Sequence, residues 1–264
     1  MMSSHRFLIY LFATIIFSWS WGQNNIQRFS RLTASDGLSH NTCNKIIHDE
    51  FGLTWIATTD GLNMYNGHSF KVFNPGTTNG ALSQNDIYSL YTDQTSYLWV
   101  GGRTGLFVFD REKEIFRQVG PPGITANDFE PLSADSLAIG TNQGLLKIHT
   151  GNFKWKFVPS PSENFKITAL ARQGNTLLIG TDAVGIYHYS DRYELIDSLD
   201  SKTRVNDLSV ANNQVWLATS HGVLIYDSLS KKFQNQLPTI SSATALLIDR
   251  RGALWVTSDD QGVF

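Results

Sequence analysis

The sequence predicts an all-β fold, a propeller built from four-stranded blades, and three observations support this prediction. One short pattern recurs six times along the 264 residues, at spacings between 38 and 44 residues. Each copy lies among runs of alternating apolar and polar residues that have the length of short strands. The composition, with 12% aromatic residues, 21 Gly and only 7 Pro, suits a protein rich in strands and turns.

The recurring pattern is clearest in residues 54–62, which read TWIATTDGL. It returns as LWVGGRTGL, LAIGTNQGL, LLIGTDAVGI, VWLATSHGV and LWVTSDDQGV. Its second position is held in order by Trp55, Trp99, Ala138, Leu178, Trp216 and Trp255. Each unit of about forty residues holds four strand patterns, which is typical of a propeller blade.

The repeated residues have structural explanations. The large residue at the second position, Trp in four of the copies, is expected to wedge between adjacent blades. A spacing of D-x-x-G-x-x-W, as in Asp49–Trp55, predicts a tight turn in which Asp accepts backbone hydrogen bonds and Gly takes a positive φ. A Gly in the first five copies is expected to open the third strand; these glycines are Gly61, Gly105, Gly144, Gly185 and Gly222.

The chain is predicted to hold a signal peptide, residues 1–22, and one propeller domain, residues 23–264. Arg6 and the apolar run of residues 7–17 are typical of a secretory signal and too short for a membrane span. The repeats lie near 44–80, 81–122, 123–162, 163–202, 203–240 and 241–264. Because the last repeat is truncated, we expect about five and a half blades, an incomplete ring and an N-terminal fragment of a longer protein.

Charge and composition exclude several classes of function. The formal charge is −2 and there is no long basic run, so no nucleic-acid partner is expected for this part. Cys43 is the only cysteine, and no His partner for a catalytic role is identifiable. The histidines are scattered without ligand spacing, so neither a metal nor a cofactor is expected. No catalytic residues are predicted.

Ligand-binding candidates lie in the turns between the second and third strands of the blades, here called the B–C turns. On a propeller these turns line one mouth of the central axis. For any single residue an ordinary polar turn is the preferred explanation. Together their polar groups could bind sugar hydroxyls. The candidates are Asp60, Arg103, Asn142, Asp182, His221 and Asp259.

These repeats resemble the two-component regulator propeller family, the extracytoplasmic sensor repeats of bacterial hybrid two-component and histidine kinase proteins. The opening DGLS-N segment of that family is matched at residues 36–41. Its D-x-x-G-x-L-W-(I/V)-G-T-x-x-G-L pattern is approximated at 49–62, 93–106 and 249–263. The resemblance covers the chain from about residue 26 onward. The copies with Ala138 and Leu178 depart from the pattern, because they lack both the Trp and the preceding Asp-Gly turn.

The resemblance implies a periplasmic or extracellular sensor for a poly- or oligosaccharide, within a parent protein anchored in the inner membrane. It also implies a homodimer and a histidine kinase output outside this chain, so that this part itself is not an enzyme. Two other functions stay open. A secreted propeller glycoside hydrolase or lyase would need an acidic pair facing the axis, and a protein-binding scaffold would bind its partner through the loops.

Overall fold

A computed structural model describes residues 30–76, 82–93, 97–182, 184–200, 202–227, 230 and 232–264. The chain divides into two units, Met1–Leu32 and Thr33–Phe264, and every element named below belongs to the second. The predicted signal peptide lies outside the described residues. Within the described part, no helix has the length and apolar character needed to cross a membrane.

Six antiparallel sheets follow one another along the chain, after a short 3-10 helix at Ala34–Asp36. The first holds β1 (Cys43–His48), β2 (Thr54–Thr58), β3 (Gly61–Tyr65) and β4 (Phe70–Phe73). The second holds β5 (Ile87–Thr92), β6 (Tyr97–Gly102), β7 (Gly105–Asp110) and β8 (Ile115–Val119). The third holds β9 (Ala126–Ser133), β10 (Ser136–Thr141), β11 (Gly144–His149) and β12 (Trp155–Phe157).

The fourth sheet holds β13 (Ile167–Gln173), β14 (Thr176–Thr181), β15 (Ile186–Tyr189) and β16 (Tyr193–Asp197). The fifth holds β17 (Val205–Ala211), β18 (Gln214–Thr219), β19 (Gly222–Asp227) and β20 (Lys232–Asn235). The sixth has three strands, β21 (Ala245–Ile248), β22 (Leu254–Ser258) and β23 (Gly262–Val263). In each sheet the strands pair in chain order, and the first strands of consecutive sheets lie side by side. The prediction of an all-β propeller with four-stranded blades is confirmed. The structure has six blades, the sixth with three strands in the described residues, where the sequence predicts about five and a half blades.

The turn between the first and second strands is closed by an aspartate, as the D-x-x-G-x-x-W spacing predicts. Asp49 Oδ1 accepts hydrogen bonds from the N–H groups two and four residues further on, at 3.0 and 2.9 Å. Its Oδ2 accepts the indole N–H of Trp55 at 2.7 Å. Asp249 repeats these bonds in the sixth blade, where the bond to the Trp255 indole is 3.2 Å. The spacing therefore fixes the Trp side chain as well as the turn.

Tryptophans lie in the interfaces between the first three blades. Trp55 is fully buried and packs on Phe73 and Phe109, with ring centroids 5.9 and 5.5 Å apart. Trp99, also fully buried, belongs to the cluster between the second and third blades. Where the third copy has Ala138, the buried Phe165 belongs to the same cluster. Phe165, from the loop before the fourth blade, thus places an aromatic ring in the cluster that contains the small Ala138.

Asn side chains near the axis connect the first blade to the second, the third to the fourth and the fifth to the sixth. The second residue of β1, β9 and β17 is an Asn, and each donates to a carbonyl oxygen of the following blade. Asn44 donates to Ile87 at 2.6 Å, Asn127 donates to Ile167 at 2.7 Å, and Asn206 donates to Ala243 at 2.7 Å. The equivalent residues of blades two, four and six are Tyr88, Thr168 and Thr244. The blades are therefore joined in pairs by this bond.

The next residue reinforces the pairing in the third and fifth blades. Asp128 accepts the N–H of Leu170 at 2.8 Å, and Asp207 accepts that of Leu246 at the same distance. The first blade has Lys45 at this position, which has no acceptor to offer. The first strand of each blade is here called its inner strand. The polar residues of the inner strands thus alternate with a period of two blades, about eighty residues.

We predict that Asp49→Ala destabilises the protein by about 3–5 kcal/mol. The substitution leaves the Trp55 indole without its acceptor and removes the carboxylate partner of the nearly buried Arg111, whose Nη1 lies 2.6 Å from Asp49. Asp249→Ala is the matched control, because the same turn in the sixth blade carries no such ion pair among the described residues; we expect a clearly smaller loss of stability. Urea unfolding measures both variants, and equal losses would contradict the assigned role of the ion pair.

Candidate ligand-binding site

A β-bulge occurs at the same place in the inner strands of the first five blades. In β1, Cys43 pairs with Thr58 and Lys45 with Ala57, so Asn44 between them is the extra residue. The extra residues of β5, β9, β13 and β17 are Tyr88, Asn127, Thr168 and Asn206. A bulge re-aims the side chain of the extra residue and is common beside functional sites.

These bulge residues line one cavity of about 610 Å³, here called the axial mouth. The inner strands of blades one to five contribute through the bulges, and blade six contributes Thr244, which directly precedes β21. The full lining is Asn44, Tyr88, Arg103, Thr125, Asn127, Asn142, Lys166, Thr168, Arg204, Asn206, Thr244 and Asp259. All six blades therefore meet at this cavity, which has the size of a small-ligand site.

The last residue of the second strand holds the B–C turn in four blades. Each of these residues is a Thr whose hydroxyl donates to the carbonyl oxygen of the Gly beyond the turn, at 2.7 to 2.9 Å. The bonds join Thr58 to Gly61, Thr141 to Gly144, Thr181 to Gly185 and Thr219 to Gly222. Gly61 has a φ of 117°, and a Cβ there would lie 1.9 Å from the Asn74 side chain, so the turn requires glycine.

The structure brings three of the six predicted site residues into the axial mouth, namely Arg103, Asn142 and Asp259. The other three occupy B–C turns but do not line the cavity. Asp60 accepts a bond from Asn85 at 2.9 Å, and Asp182 pairs with Lys166 at 2.9 Å. The His221 ring lies 3.3 Å from the Thr203 hydroxyl. Of these three, Asp182 contributes to the mouth indirectly, because its ion pair positions Lys166, which lines the cavity.

The sequence reasoning missed the residues that come from the inner strands and the loops before them. The strongest available signal was the polar second position of each inner strand, which is Asn in every odd blade. Aligning the six repeats would have shown this alternation, although not the bulges that turn the side chains. The missed lining residues are Asn44, Tyr88, Thr125, Asn127, Lys166, Thr168, Arg204, Asn206 and Thr244.

The charged residues of the mouth are unevenly paired. Arg103 Nε lies 2.9 Å from Asp86 Oδ2, which also accepts the Tyr88 hydroxyl at 2.9 Å. The hydrogen bond to Asp86 raises the pKa of Arg103, so this side chain stays charged. Arg204 has no hydrogen-bond or ion-pair partner for its guanidinium among the described residues. Its main-chain N–H donates to the Ser220 hydroxyl at 3.1 Å, and its carbonyl oxygen accepts the Ser220 N–H at 3.0 Å.

A second group of charges, here called the axial charge cluster, consists of Lys45, Asp128, Glu130 and Asp207. They line a separate cavity of about 340 Å³ together with Arg172. Lys45 Nζ lies 3.6 Å from Asp128 Oδ1, and the charge of Asp128 raises the pKa of the partly exposed Lys45. Odd blades supply all four residues, so the cluster is another consequence of the two-blade alternation.

Two carboxyl groups of the cluster hold protons unusually tightly. Burial, together with the neighbouring Asp128 carboxylate, raises the pKa of Glu130 to about 7, against the opposing effects of Arg172 and Lys45. Burial likewise raises the pKa of Asp207 to about 6, although Lys45 opposes this. Asp128 and Asp207 both accept backbone N–H groups, whereas Glu130 makes no such bond among the described residues. Glu130 is therefore the member of the cluster best able to exchange a proton near neutral pH.

The fold defines a class, the β-propellers built from four-stranded blades, and the mouth is a cavity at one end of the axis. No family model matches the chain. Histidine kinase P4 of Formosa agariphila is 37% identical over 67 residues, which is 24% of this chain and 5% of that kinase. This local similarity agrees with the sensor repeats that the sequence resembles.

Solved structures share the fold across nearly the whole chain. The extracellular domain assigned to the hybrid two-component system BT3049 of B. thetaiotaomicron matches 89% of this chain and 34% of its own, with a TM-score of 0.77 and 19% identity. PorZ, an essential surface component of the type-IX secretion system of Porphyromonas gingivalis, matches 88% and 32%, with a TM-score of 0.64 and 14% identity. The chain thus spans about a third of each neighbour. The predicted resemblance to sensor propellers is confirmed in fold, and at these identities the likeness shows the fold alone.

We predict that the free energy of unfolding falls as pH rises from 5 to 8, and that Glu130→Gln removes part of this fall. Because the folded-state pKa of Glu130 is raised, the folded protein binds more protons than the unfolded chain between the two pKa values, and stability is lost as pH rises through the higher one. After allowance for solvent screening, Glu130→Gln should add about 1–2 kcal/mol at pH 8 and little at pH 4. Glu163→Gln, at an exposed site, is the control, and an equal gain in it would contradict the assignment.

Proposed function

We propose that this propeller is the extracytoplasmic ligand-sensing part of a two-component signalling protein and binds a poly- or oligosaccharide in the axial mouth. The observation that carries the proposal is the lining of that cavity, in which amide and hydroxyl side chains from all six blades face one space of about 610 Å³. The fold shared with the extracellular domain assigned to BT3049 and the local similarity to a histidine kinase support the signalling context.

The chemistry of the lining suits sugar hydroxyls. Each amide of Asn44, Asn127 and Asn206 uses one N–H in its inter-blade bond, which leaves an N–H donor and the carbonyl oxygen for a ligand. Tyr88 adds an aromatic face on which a pyranose ring can pack. Because the inter-blade bonds already orient these amides, little conformational entropy is lost when they bind a ligand.

Sensing requires that the ligand favour one arrangement of the protein over another. A saccharide in the mouth contacts B–C turns and inner strands of several blades at once, so it stabilises one packing of the blades. The remainder of the sensor protein transmits this change to a kinase or regulator outside this chain. The chain is exported to the periplasmic or extracellular side, the parent is anchored in the inner membrane, and homodimers offer a second interface through which a change in packing can act.

Ligand binding by the purified chain tests the proposal. We expect oligosaccharides from partially hydrolysed polysaccharides to raise the melting temperature, and titration calorimetry on each one that does so should give the affinity. Asn142→Ala, at the wall of the mouth, should weaken binding about tenfold through the loss of its amide hydrogen bonds. Asn152→Ala is the matched control, because it lies in the turn at the opposite end of the same blade, and it should bind normally.

Two results would overturn the proposal. Binding that Asn142→Ala and Arg103→Ala leave unchanged would place the ligand elsewhere. Absence of binding by every oligosaccharide, together with a protein that co-purifies through the B–C turns, would favour the interaction scaffold instead.

One observation favours a second function, a propeller glycoside hydrolase or lyase. Glu130, with its raised pKa, faces the same cavity as Asp128, Asp207 and Lys45, and an acid with a neighbouring carboxylate is what glycoside hydrolysis requires. Against this, Asp128 and Asp207 are engaged as acceptors between blades, which gives them a structural role.

Turnover distinguishes the two functions. We expect no release of reducing ends or unsaturated products when the chain is incubated with the oligosaccharides it binds. Release that Glu130→Gln abolishes, while the Glu163→Gln control retains it, would establish the hydrolase or lyase instead.

A further inference from the structure

We infer that the ligand of the axial mouth is an acidic saccharide, one that carries a carboxylate or sulfate group, and that Arg204 binds this group. The inference rests on the function proposed above and names the chemical class of its ligand. The observation behind it is the excess of cations in the lining, because binding of neutral sugar hydroxyls would not require these charges.

The wall of the mouth is richer in cations than in anions. Arg103, Lys166 and Arg204 line it from blades two, four and five, whereas among the described residues Asp259 of blade six is the one carboxylate in the lining. The carboxylates that pair with the first two cations, Asp86 and Asp182, do not line the cavity. A ligand in the mouth therefore meets mostly positive charge, which a concave surface concentrates.

Arg204 is the cation with the most free binding capacity. Its guanidinium has no hydrogen-bond or ion-pair partner in the described part of the chain, and its backbone bonds to Ser220 fix only the main chain. The five N–H groups of a guanidinium match the geometry of a carboxylate or sulfate and bind such groups through two parallel bonds. Arg204 alone can therefore bind one carboxylate or sulfate group of the ligand through two hydrogen bonds.

The other two cations are held in place and still have donors to offer. Arg103 gives its Nε–H to Asp86, so its terminal N–H groups remain, and Lys166 gives one of three N–H groups to Asp182. These ion pairs orient the two side chains before any ligand arrives, which reduces the entropy lost on binding. They give an acidic oligosaccharide further contacts along its length.

A neutral ligand fits this wall less well. When it fills the mouth, it removes water from the Arg204 guanidinium without supplying an anion, and an unpaired charge that loses its water is costly. The same cation that attracts an acidic sugar therefore discriminates against its neutral counterpart.

Matched pairs of oligosaccharides test the inference. We would titrate the chain with oligogalacturonates and their carboxyl-reduced forms, and with sulfated galactan oligosaccharides and their desulfated forms. We expect an acidic member to bind at least tenfold more tightly than its neutral partner, with an affinity that falls as sodium chloride rises. Arg204→Ala should lose at least tenfold in affinity for that member, and Arg204→Lys should lose less.

Control variants and the neutral partners make the outcomes distinguishable. Arg192→Ala removes an exposed arginine from the turn at the opposite end of the fourth blade and should bind normally, with each variant checked by its melting temperature. If the neutral member binds as tightly as the acidic one, or Arg204→Ala binds unchanged, the acidic class is overturned and the sensing proposal stands. If no member of any pair binds the folded chain while another oligosaccharide from the melting-temperature screen does, the acidic class alone is overturned. If no oligosaccharide binds in either experiment, both proposals fail.

Discussion

The constraint on which this structure depends is the open edge of each inner strand. In all six sheets the first strand has a neighbour on one side only, so its outward N–H and C=O groups face the axis with no strand to receive them. Side chains of the odd blades supply the missing partners, Asn for a carbonyl oxygen and Asp for an amide N–H of the next blade. The second residue of each odd inner strand is an Asn for this reason. The axis is therefore lined by hydrogen-bonding groups instead of an apolar core.

The candidate site follows from the same constraint. The bulges that place Asn44, Asn127 and Asn206 beside the next blade also expose their remaining polar atoms at the axial mouth. Packing between blades and recognition of a ligand therefore use the same side chains. Substituting one of these amides would affect both, which is why residues of the B–C turns, such as Asn142, are the cleaner probes of binding.

Much of the fold could be predicted from the sequence, because short local patterns determine each blade and recur along the chain. The Trp spacing, the Asp-Gly turns and the alternation of apolar residues gave the blades and the end of the propeller at which ligand candidates lie. The mouth itself could be predicted only in part. A bulge depends on the register between two strands, and the cluster of Lys45, Asp128 and Asp207 joins residues that are far apart in the chain. Neither is visible in a single stretch of sequence.

The two-blade alternation has a consequence for how such a chain can change in length. Deleting one even blade would bring two odd blades together, and the Asn that normally bonds to an even neighbour would face an inner strand with an Asn of its own. Deleting or duplicating a pair, about eighty residues, would leave every junction of a kind already present. Gene duplication and protein engineering should therefore alter this propeller most easily in steps of two, and a ring with an odd number of blades must contain one junction that breaks the parity.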